Sequence, residues 1–96
     1  MKLFIDSADV KEIYNCLETG FVDGVTTNPT LIKRSGRKPD DVYRELITLG
    51  IEDLSMEVVG DQEQMMKESS RLIEQFGPDV STIKVPCTPA GLQVCR

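Results

Sequence analysis

The stretch Val80–Pro86 reads VSTIKVP, and it places Lys84 at the end of a short β-branched run that Pro86 closes. Thr88 and Pro89 then predict a helix start, with threonine at the N-cap and proline at the first helical position. Lysine is rarely buried in such a strand, because an unpaired ammonium is costly to desolvate. Held out of water, the amine loses its proton more easily and becomes a nucleophile toward carbonyl groups. The stretch therefore indicates either Schiff-base chemistry or an ordinary strand-end lysine whose ammonium reaches water.

Three more strands are predicted upstream of this one, so that the strands cover residues 2–6, 21–27, 54–59 and 80–85. Helical spacing of apolar residues predicts a helix after each of the first three strands. Ser7 or Asp9 caps the first helix, Asp40 or Asp41 opens the second, and Asp61 with Gln64 forms a capping box for the third. Asn28-Pro29 indicates a loop, and residues 35–39 an exposed connection.

Strands that alternate with helices predict right-handed βαβ units on a parallel sheet. The strands read as apolar on both faces, as expected when helices or further strands cover a sheet. We therefore predict an α/β fold in a single domain, residues 1–96, since a chain of this length supports one core.

Composition excludes several classes of protein. The 96 residues carry 16 acids against 11 bases, a net charge of −5, which argues against a nucleic-acid partner. No apolar stretch approaches the roughly 20 residues of a membrane span. Asp6 interrupts the N-terminus where a signal peptide would stay apolar, which favours a cytoplasmic protein.

The titratable residues limit the chemistry further. The chain has no histidine and three cysteines, Cys16, Cys87 and Cys95, without metal-ligand spacing. A zinc site is not expected, and reduced thiols are the simplest interpretation of the cysteines. Catalysis that depends on a histidine base is excluded. We expect neither a metal nor a cofactor.

Polar residues end each predicted strand: Asp6, then Thr26 and Asn28, then Glu57, then Lys84. In a (β/α)8 barrel, catalytic groups come from the carboxyl ends of several strands. Each residue alone also fits a helix cap, a turn or a surface charge, and Glu57 with Lys84 also fits a plain buried ion pair.

The spacing of four motifs resembles one known family, the small transaldolases, which include fructose-6-phosphate aldolase. The motifs are LFIDSAD at 3–9, GVTTNPTLI at 24–32, MEV at 56–58 and IKVPCTPAGL at 83–92. They agree in order and spacing over essentially the whole chain. The resemblance implies the first, N-terminal half of a (β/α)8 (TIM) barrel.

The resemblance also implies a metal-free, class I Schiff-base mechanism. Lys84 matches the lysine that attacks the ketone of a ketose phosphate. Asp6 matches the general acid/base of C–C cleavage, and Glu57 the carboxylate that acts through a water on the Schiff base. Asn28 matches a residue that binds hydroxyls of the three-carbon unit, with Thr26 in the same pocket.

Position 57 bears on the choice of reaction. In the family, fructose-6-phosphate aldolases carry glutamine at the matching position and transaldolases carry glutamate. Glu57 thus favours transaldolase, which transfers a dihydroxyacetone unit in the pentose phosphate pathway of carbohydrate metabolism. The implied substrates are fructose 6-phosphate, sedoheptulose 7-phosphate, erythrose 4-phosphate and glyceraldehyde 3-phosphate. Fructose-6-phosphate aldolase is the alternative.

Length separates this chain from a complete barrel, which needs about 200 residues or more. The resemblance places the phosphate-binding arginine and serine in the second half, so impaired turnover is expected. Four strands are also expected to leave two unpaired edges and an open apolar face, which predicts self-association. A catalytically inactive half-barrel that serves as an assembly module is therefore a second hypothesis. A receiver-like signalling domain is disfavoured, because a helix start separates Asp6 from Asp9.

Overall fold

A computed structural model describes all residues from Met1 to Arg96. Its elements in chain order are β1 Phe4–Asp6, α1 Val10–Leu17, β2 Gly24–Thr26, α2 Pro29–Ser35, α3 Pro39–Thr48, β3 Leu54–Glu57, α4 Gln62–Phe76, β4 Ser81–Lys84 and α5 Pro89–Cys95. The strands form one sheet in the order β1-β2-β3-β4, and every pairing is parallel. The predicted α/β fold with parallel βα units is confirmed.

The core lies between the helices and one face of the sheet. Val25, Leu54 and Met56 point to that face and are 0% exposed. They belong to a single cluster of thirteen buried apolar residues, in which each helix from α1 to α4 is represented. Burying such side chains stabilises a fold by about 1.5 to 3 kcal/mol each. The helices are therefore held to the sheet by this one face.

The opposite face of the sheet is polar, which corrects the expectation of strands apolar on both faces and of an open apolar face. Side chains alternate along a strand, so the neighbours of the core residues point away from the helices. Three contacts between neighbouring strands lie there: Thr26–Asp6, Thr82–Asp53 and Lys84–Glu57. Threonine, like valine, is favoured in strands, so the β-rich runs did not reveal this polar face in the sequence.

One aromatic residue interrupts the polar face. Phe4 of β1 is in register with Gly24 of β2, and its ring lies where a side chain at position 24 would stand. A Cβ built on Gly24 comes within 2.6 Å of the Phe4 ring and of the Asp53 carbonyl oxygen. The glycine therefore allows β1, β2 and the start of β3 to approach closely.

Most helix starts agree with the prediction. Asp9 caps α1, Asp61 and Gln64 form the capping box of α4, and the Thr88 side chain accepts a hydrogen bond from the Gly91 N–H at the start of α5. The start of α3 was predicted two or three residues too late, because Lys38 is its N-cap and Pro39 its first residue.

One helix was missed. Asn28-Pro29 indicated a loop, and no helix was predicted before the exposed connection at 35–39, yet residues 29–35 form α2. Asn28 is its N-cap, Pro29 takes the first helical position, and Gly36 ends the helix at a φ of 72°. Asn-Pro marks the start of a helix as well as a turn, since the missing proline N–H has no partner at that position anyway.

The remaining global features are simple. No helix is long and apolar enough to cross a bilayer. No group of three or more metal-ligating side chains comes together. All three cysteines are free, and Cys87 and Cys95 are exposed.

Candidate active site

Lys84 and Glu57 form the centre of the candidate site. They end the neighbouring strands β4 and β3 and are in register with each other. The Lys84 Nζ lies 3.7 Å from the Glu57 Oε2. Glu57 accepts no hydrogen bond within the chain, so this amine is its only charged partner. The predicted Glu57–Lys84 contact is thus present.

Lys84 differs from the expectation in one respect. Its side chain is 44% exposed, whereas that of Glu57 is 17% exposed. The lysine is therefore not held out of water, because the face of the sheet that carries it is open in this structure. The geometry places an amine beside a carboxylate, and the water-excluded environment is absent.

Asp6 and Thr26 form a second pair at the same end of the sheet. They end β1 and β2 in register, and the Thr26 Oγ1 donates a hydrogen bond of 2.9 Å to the Asp6 Oδ1. Asp6 is exposed and has no cation within salt-bridge distance. Its carboxylate keeps free lone pairs, which suits a group that accepts and returns a proton.

The structure does not bring these two pairs together. β1 and β4 are the two edges of the sheet, and three strand spacings separate them. The registers place Asp6 level with Thr82, two residues before Lys84. At about 4.8 Å per strand spacing and about 3.3 Å per residue, Asp6 and Lys84 stand roughly 16 Å apart along a flat sheet. Closure of a sheet into a barrel would bring the two residues closer across the interior.

Asn28 lies on the Lys84 side. Its Oδ1 accepts a hydrogen bond of 2.9 Å from the Leu31 N–H, which caps α2. The amide nitrogen donates to no group of the chain, so both of its N–H bonds are available to a ligand. The cap and the predicted substrate contact are compatible, because they use different atoms of one side chain.

An open depression of about 550 Å³ contains three of the predicted residues together with part of α2. Its lining consists of Asn28, Pro29, Thr30, Leu31, Arg34, Glu57 and Lys84. The volume suits a small polar metabolite. A larger hollow of about 840 Å³ beside α1 contains none of the five predicted site residues.

Two of these lining residues, Thr30 and Arg34, were missed by the sequence reasoning. They stand four positions apart on α2, which places them side by side on one face of the helix. The signal was present in the sequence, but it required the recognition of a helix after Asn28.

Buried contacts beneath the site hold β2 and β3 together. Thr27 is 0% exposed, and its hydroxyl donates a 2.9 Å hydrogen bond to the Ser55 carbonyl oxygen. Tyr43 of α3 is also buried, and burial raises its pKa against a smaller opposing effect of the Thr27 side chain. The Tyr43 ring meets Phe76 edge to face at 5.7 Å. Strand ends fixed in this way give Thr26, Asn28 and Glu57 defined positions.

Comparison with known proteins matches residues 3–96 to the model of one family, described as transaldolase/fructose-6-phosphate aldolase. A probable transaldolase of Rhodospirillum centenum is 43% identical over 96 residues, which are 100% of this chain and 41% of that protein. One of Geotalea uraniireducens is 47% identical over 97 residues, covering 100% of this chain and 44% of the relative.

A third relative shows a comparable level of similarity. A probable transaldolase of Aquifex aeolicus is 44% identical over 94 residues, which cover 97% of this chain and 42% of that protein. The chain thus spans about two fifths of the length of the curated relatives it matches.

Proposed function

The chain belongs to the transaldolase/fructose-6-phosphate aldolase family, a family of TIM barrels, and we propose that it carries the lysine part of a transaldolase site. The observation that supports this most is the Lys84–Glu57 contact of 3.7 Å at the carboxyl end of a parallel sheet. Functional groups of barrels lie at that end. The curated relatives are named as probable transaldolases, which agrees with the proposal.

In the proposed reaction, the neutral Lys84 Nζ attacks C2 of fructose 6-phosphate or sedoheptulose 7-phosphate. The carbinolamine loses water and becomes an iminium, with Glu57 giving and taking protons through a water molecule. Asp6 removes the proton of the C4 hydroxyl, the C3–C4 bond breaks, and its electron pair enters the iminium to form an enamine. The aldehyde half of the donor sugar leaves.

The second half of the reaction reverses these steps on another aldehyde. The enamine attacks C1 of erythrose 4-phosphate or glyceraldehyde 3-phosphate, and Asp6 returns its proton to the new hydroxyl. Water then adds to the iminium and releases Lys84. Asn28 and Thr26 bind hydroxyls of the three-carbon unit throughout. No metal or cofactor takes part, and the cytoplasm and the pentose phosphate pathway belong to the same proposal.

Position 57 supports transaldolase over fructose-6-phosphate aldolase, the alternative within the family. A carboxylate carries a proton between water and the nitrogen, whereas an amide at the same position only hydrogen-bonds the water. Glu57 therefore suits proton transfer at the Schiff base, and it is the residue that the resemblance associates with transaldolases.

Reductive trapping tests the proposal. The 96-residue chain is incubated with fructose 6-phosphate and cyanoborohydride, and its peptides are analysed by mass spectrometry. We expect one adduct on the Lys84 peptide, none in Lys84→Met, and an unchanged adduct in Lys33→Met, which removes another exposed lysine. Labelling spread evenly over the lysines, or absent from Lys84, would refute the proposed nucleophile.

Turnover is expected to be weaker than adduct formation. Lys84 is open to water, and Asp6 stands at the far edge of the sheet. Schiff-base formation at Lys84 is therefore expected to be more efficient than the C–C cleavage that also needs Asp6. A coupled assay with fructose 6-phosphate and erythrose 4-phosphate measures this. Turnover as fast as trapping would contradict the expected impairment.

Self-association is the remaining part of the proposal. β1 pairs only with β2 and β4 only with β3, so each edge has free backbone donors and acceptors. The hypothesis of a catalytically inactive assembly module rests on the same edges. Light scattering that gives the mass of a single chain at all concentrations would exclude self-association and leave the enzyme hypothesis intact.

A further inference from the structure

We propose that Arg34, together with the Thr30 hydroxyl, binds the phosphate group of a sugar phosphate attached to Lys84, an assignment that rests on the proposed function. The site belongs to α2. It would give this part of the fold a phosphate contact of its own, in addition to any that other parts of a complete barrel supply.

Arg34 has no charged partner in the chain. Three of the five arginines form salt bridges with carboxylates within 4.0 Å, whereas Arg34 and Arg96 form none. Arg34 also donates no hydrogen bond to another residue. Its five N–H donors are therefore free, in a planar arrangement that matches two oxygens of a phosphate.

The position of Arg34 on α2 directs it to the candidate site. Thr30 and Arg34 are four residues apart and line the depression of about 550 Å³ that also contains Lys84. Lys33, the neighbour of Arg34 in sequence, lines a different hollow of about 450 Å³, which shares Glu57 with this depression but does not include Lys84. Arg34 also lines the hollow of about 840 Å³ beside α1, but of these two adjacent cations it alone shares a depression with Lys84.

Charge and reach both favour a phosphate at Arg34. Six single bonds of about 1.5 Å each connect C2 of fructose 6-phosphate to its phosphorus, so the phosphate lies several ångströms away from Lys84 in an extended sugar. Once Lys84 is bonded to C2, Arg34 is the only other cation that lines this depression. Glu57 repels the phosphate from the Lys84 end, and a phosphate dianion prefers the guanidinium.

The test compares trapping of fructose 6-phosphate with trapping of unphosphorylated fructose. The ratio of the two rates reports phosphate binding, because comparison between variants cancels the intrinsic reactivity of each sugar. We expect Arg34→Gln to lower this ratio about tenfold, the loss of one charged hydrogen-bonding group. Arg34→Lys should retain part of it. Lys33→Gln is the matched control, with the same charge change on the same helix, and should leave the ratio unchanged.

A second measurement does not depend on Schiff-base chemistry. Titration with inorganic phosphate, followed by NMR of the arginine side-chain N–H groups, should shift the Arg34 signal in the wild-type chain and not in Arg34→Gln. The shift should weaken as sodium chloride is raised, because this surface is exposed to screening ions.

The outcomes separate the two ideas. An Arg34 shift with phosphate, in a chain that forms no adduct with any ketose, would support the phosphate site and refute the proposed function. An adduct at Lys84 with equal ratios for Arg34→Gln and Lys33→Gln, or an absent Arg34 shift, would overturn the phosphate site and leave the Schiff-base proposal standing.

Discussion

Replacing Glu57 by glutamine should separate the chemistry of the site from the stability of the fold. The substitution keeps the size and shape of the side chain, removes its charge and removes its ability to carry a proton. Glu57 touches one charged group, the Lys84 amine at 3.7 Å, and accepts no hydrogen bond. The change therefore affects a single electrostatic contact and one proposed proton transfer.

The stability effect follows from this distance and from exposure. At about 4 Å two unit charges attract by roughly 1 kcal/mol in water and roughly 4 kcal/mol at an effective dielectric constant of about 20. Lys84 is 44% exposed, so solvent screens the pair and the smaller figure applies. Partly exposed pairs of this kind contribute about 0.2 to 1 kcal/mol. We expect Glu57→Gln to lower the free energy of unfolding by less than about 1 kcal/mol.

The expected chemical effect is larger. A positioned general acid/base contributes between about 100-fold and 10,000-fold in rate. Even the lower value corresponds to about 2.7 kcal/mol of barrier, well above the change in stability. Formation of the reduced adduct with fructose 6-phosphate, followed by intact mass against time, measures the rate. Urea unfolding followed by circular dichroism measures the stability.

Glu52→Gln is the matched control, because it removes an exposed carboxylate that contacts no cation. It should change neither the trapping rate nor the stability. Undiminished adduct formation in Glu57→Gln would refute the proton-carrying role of Glu57 and favour the aldolase alternative, in which an amide occupies this position. A large loss of stability would instead refute the treatment of the ion pair as solvent-screened.

Three further changes probe the scaffold. Arg71 holds the pKa of Asp40 below its usual range through hydrogen bonds of 2.8 and 2.9 Å. The stability that ionised Asp40 contributes should therefore be lost as the pH falls below about 4. In Asp40→Asn, the urea midpoint should depend less on pH in that range. Burial raises the pKa of Tyr43, so above about pH 10 this tyrosine ionises more readily in the unfolded chain than in the folded one. Stability should therefore fall above that pH. Alkaline denaturation of Tyr43→Phe should lack this loss of stability. Gly91→Ala would place a Cβ against the Pro86 carbonyl oxygen, and calorimetry should show destabilisation by about 1 to 3 kcal/mol; unchanged melting would contradict the tight packing of α5 on the loop after Lys84.

Much of the fold could be predicted because local signals and the core pattern agree. The capping box at Asp61 and the Thr88-Pro89 start act over four residues and do not depend on the rest of the chain. The strand cores around Val25, Leu54 and Met56 alternate with helices at a spacing that only parallel βα units satisfy. At these positions the local sequence preferences and the tertiary packing favour the same secondary structure.

The wrong expectation about the faces of the sheet came from the direction in which side chains point. Thr82 and Lys84 sit in a β-branched run that reads as buried, yet both are exposed on the face away from the helices. Which residues of a run face the core depends on its register with the neighbouring strands, and composition does not determine it. The helix α2 was missed for a different reason, because Asn-Pro is compatible with both a turn and a helix start.

The same register gives Asp6 and Glu57, at one end of the sheet, different neighbours. Asp6 is paired with a neutral hydroxyl on β2, whereas Glu57 is paired with the ammonium on β4. With strand order β1-β2-β3-β4, β2 and β3 stand between Asp6 and Lys84, so Lys84 cannot form a salt bridge with both acids. Strand order thus gives the two carboxylates different neighbours, which suits the different roles that the proposed mechanism gives them.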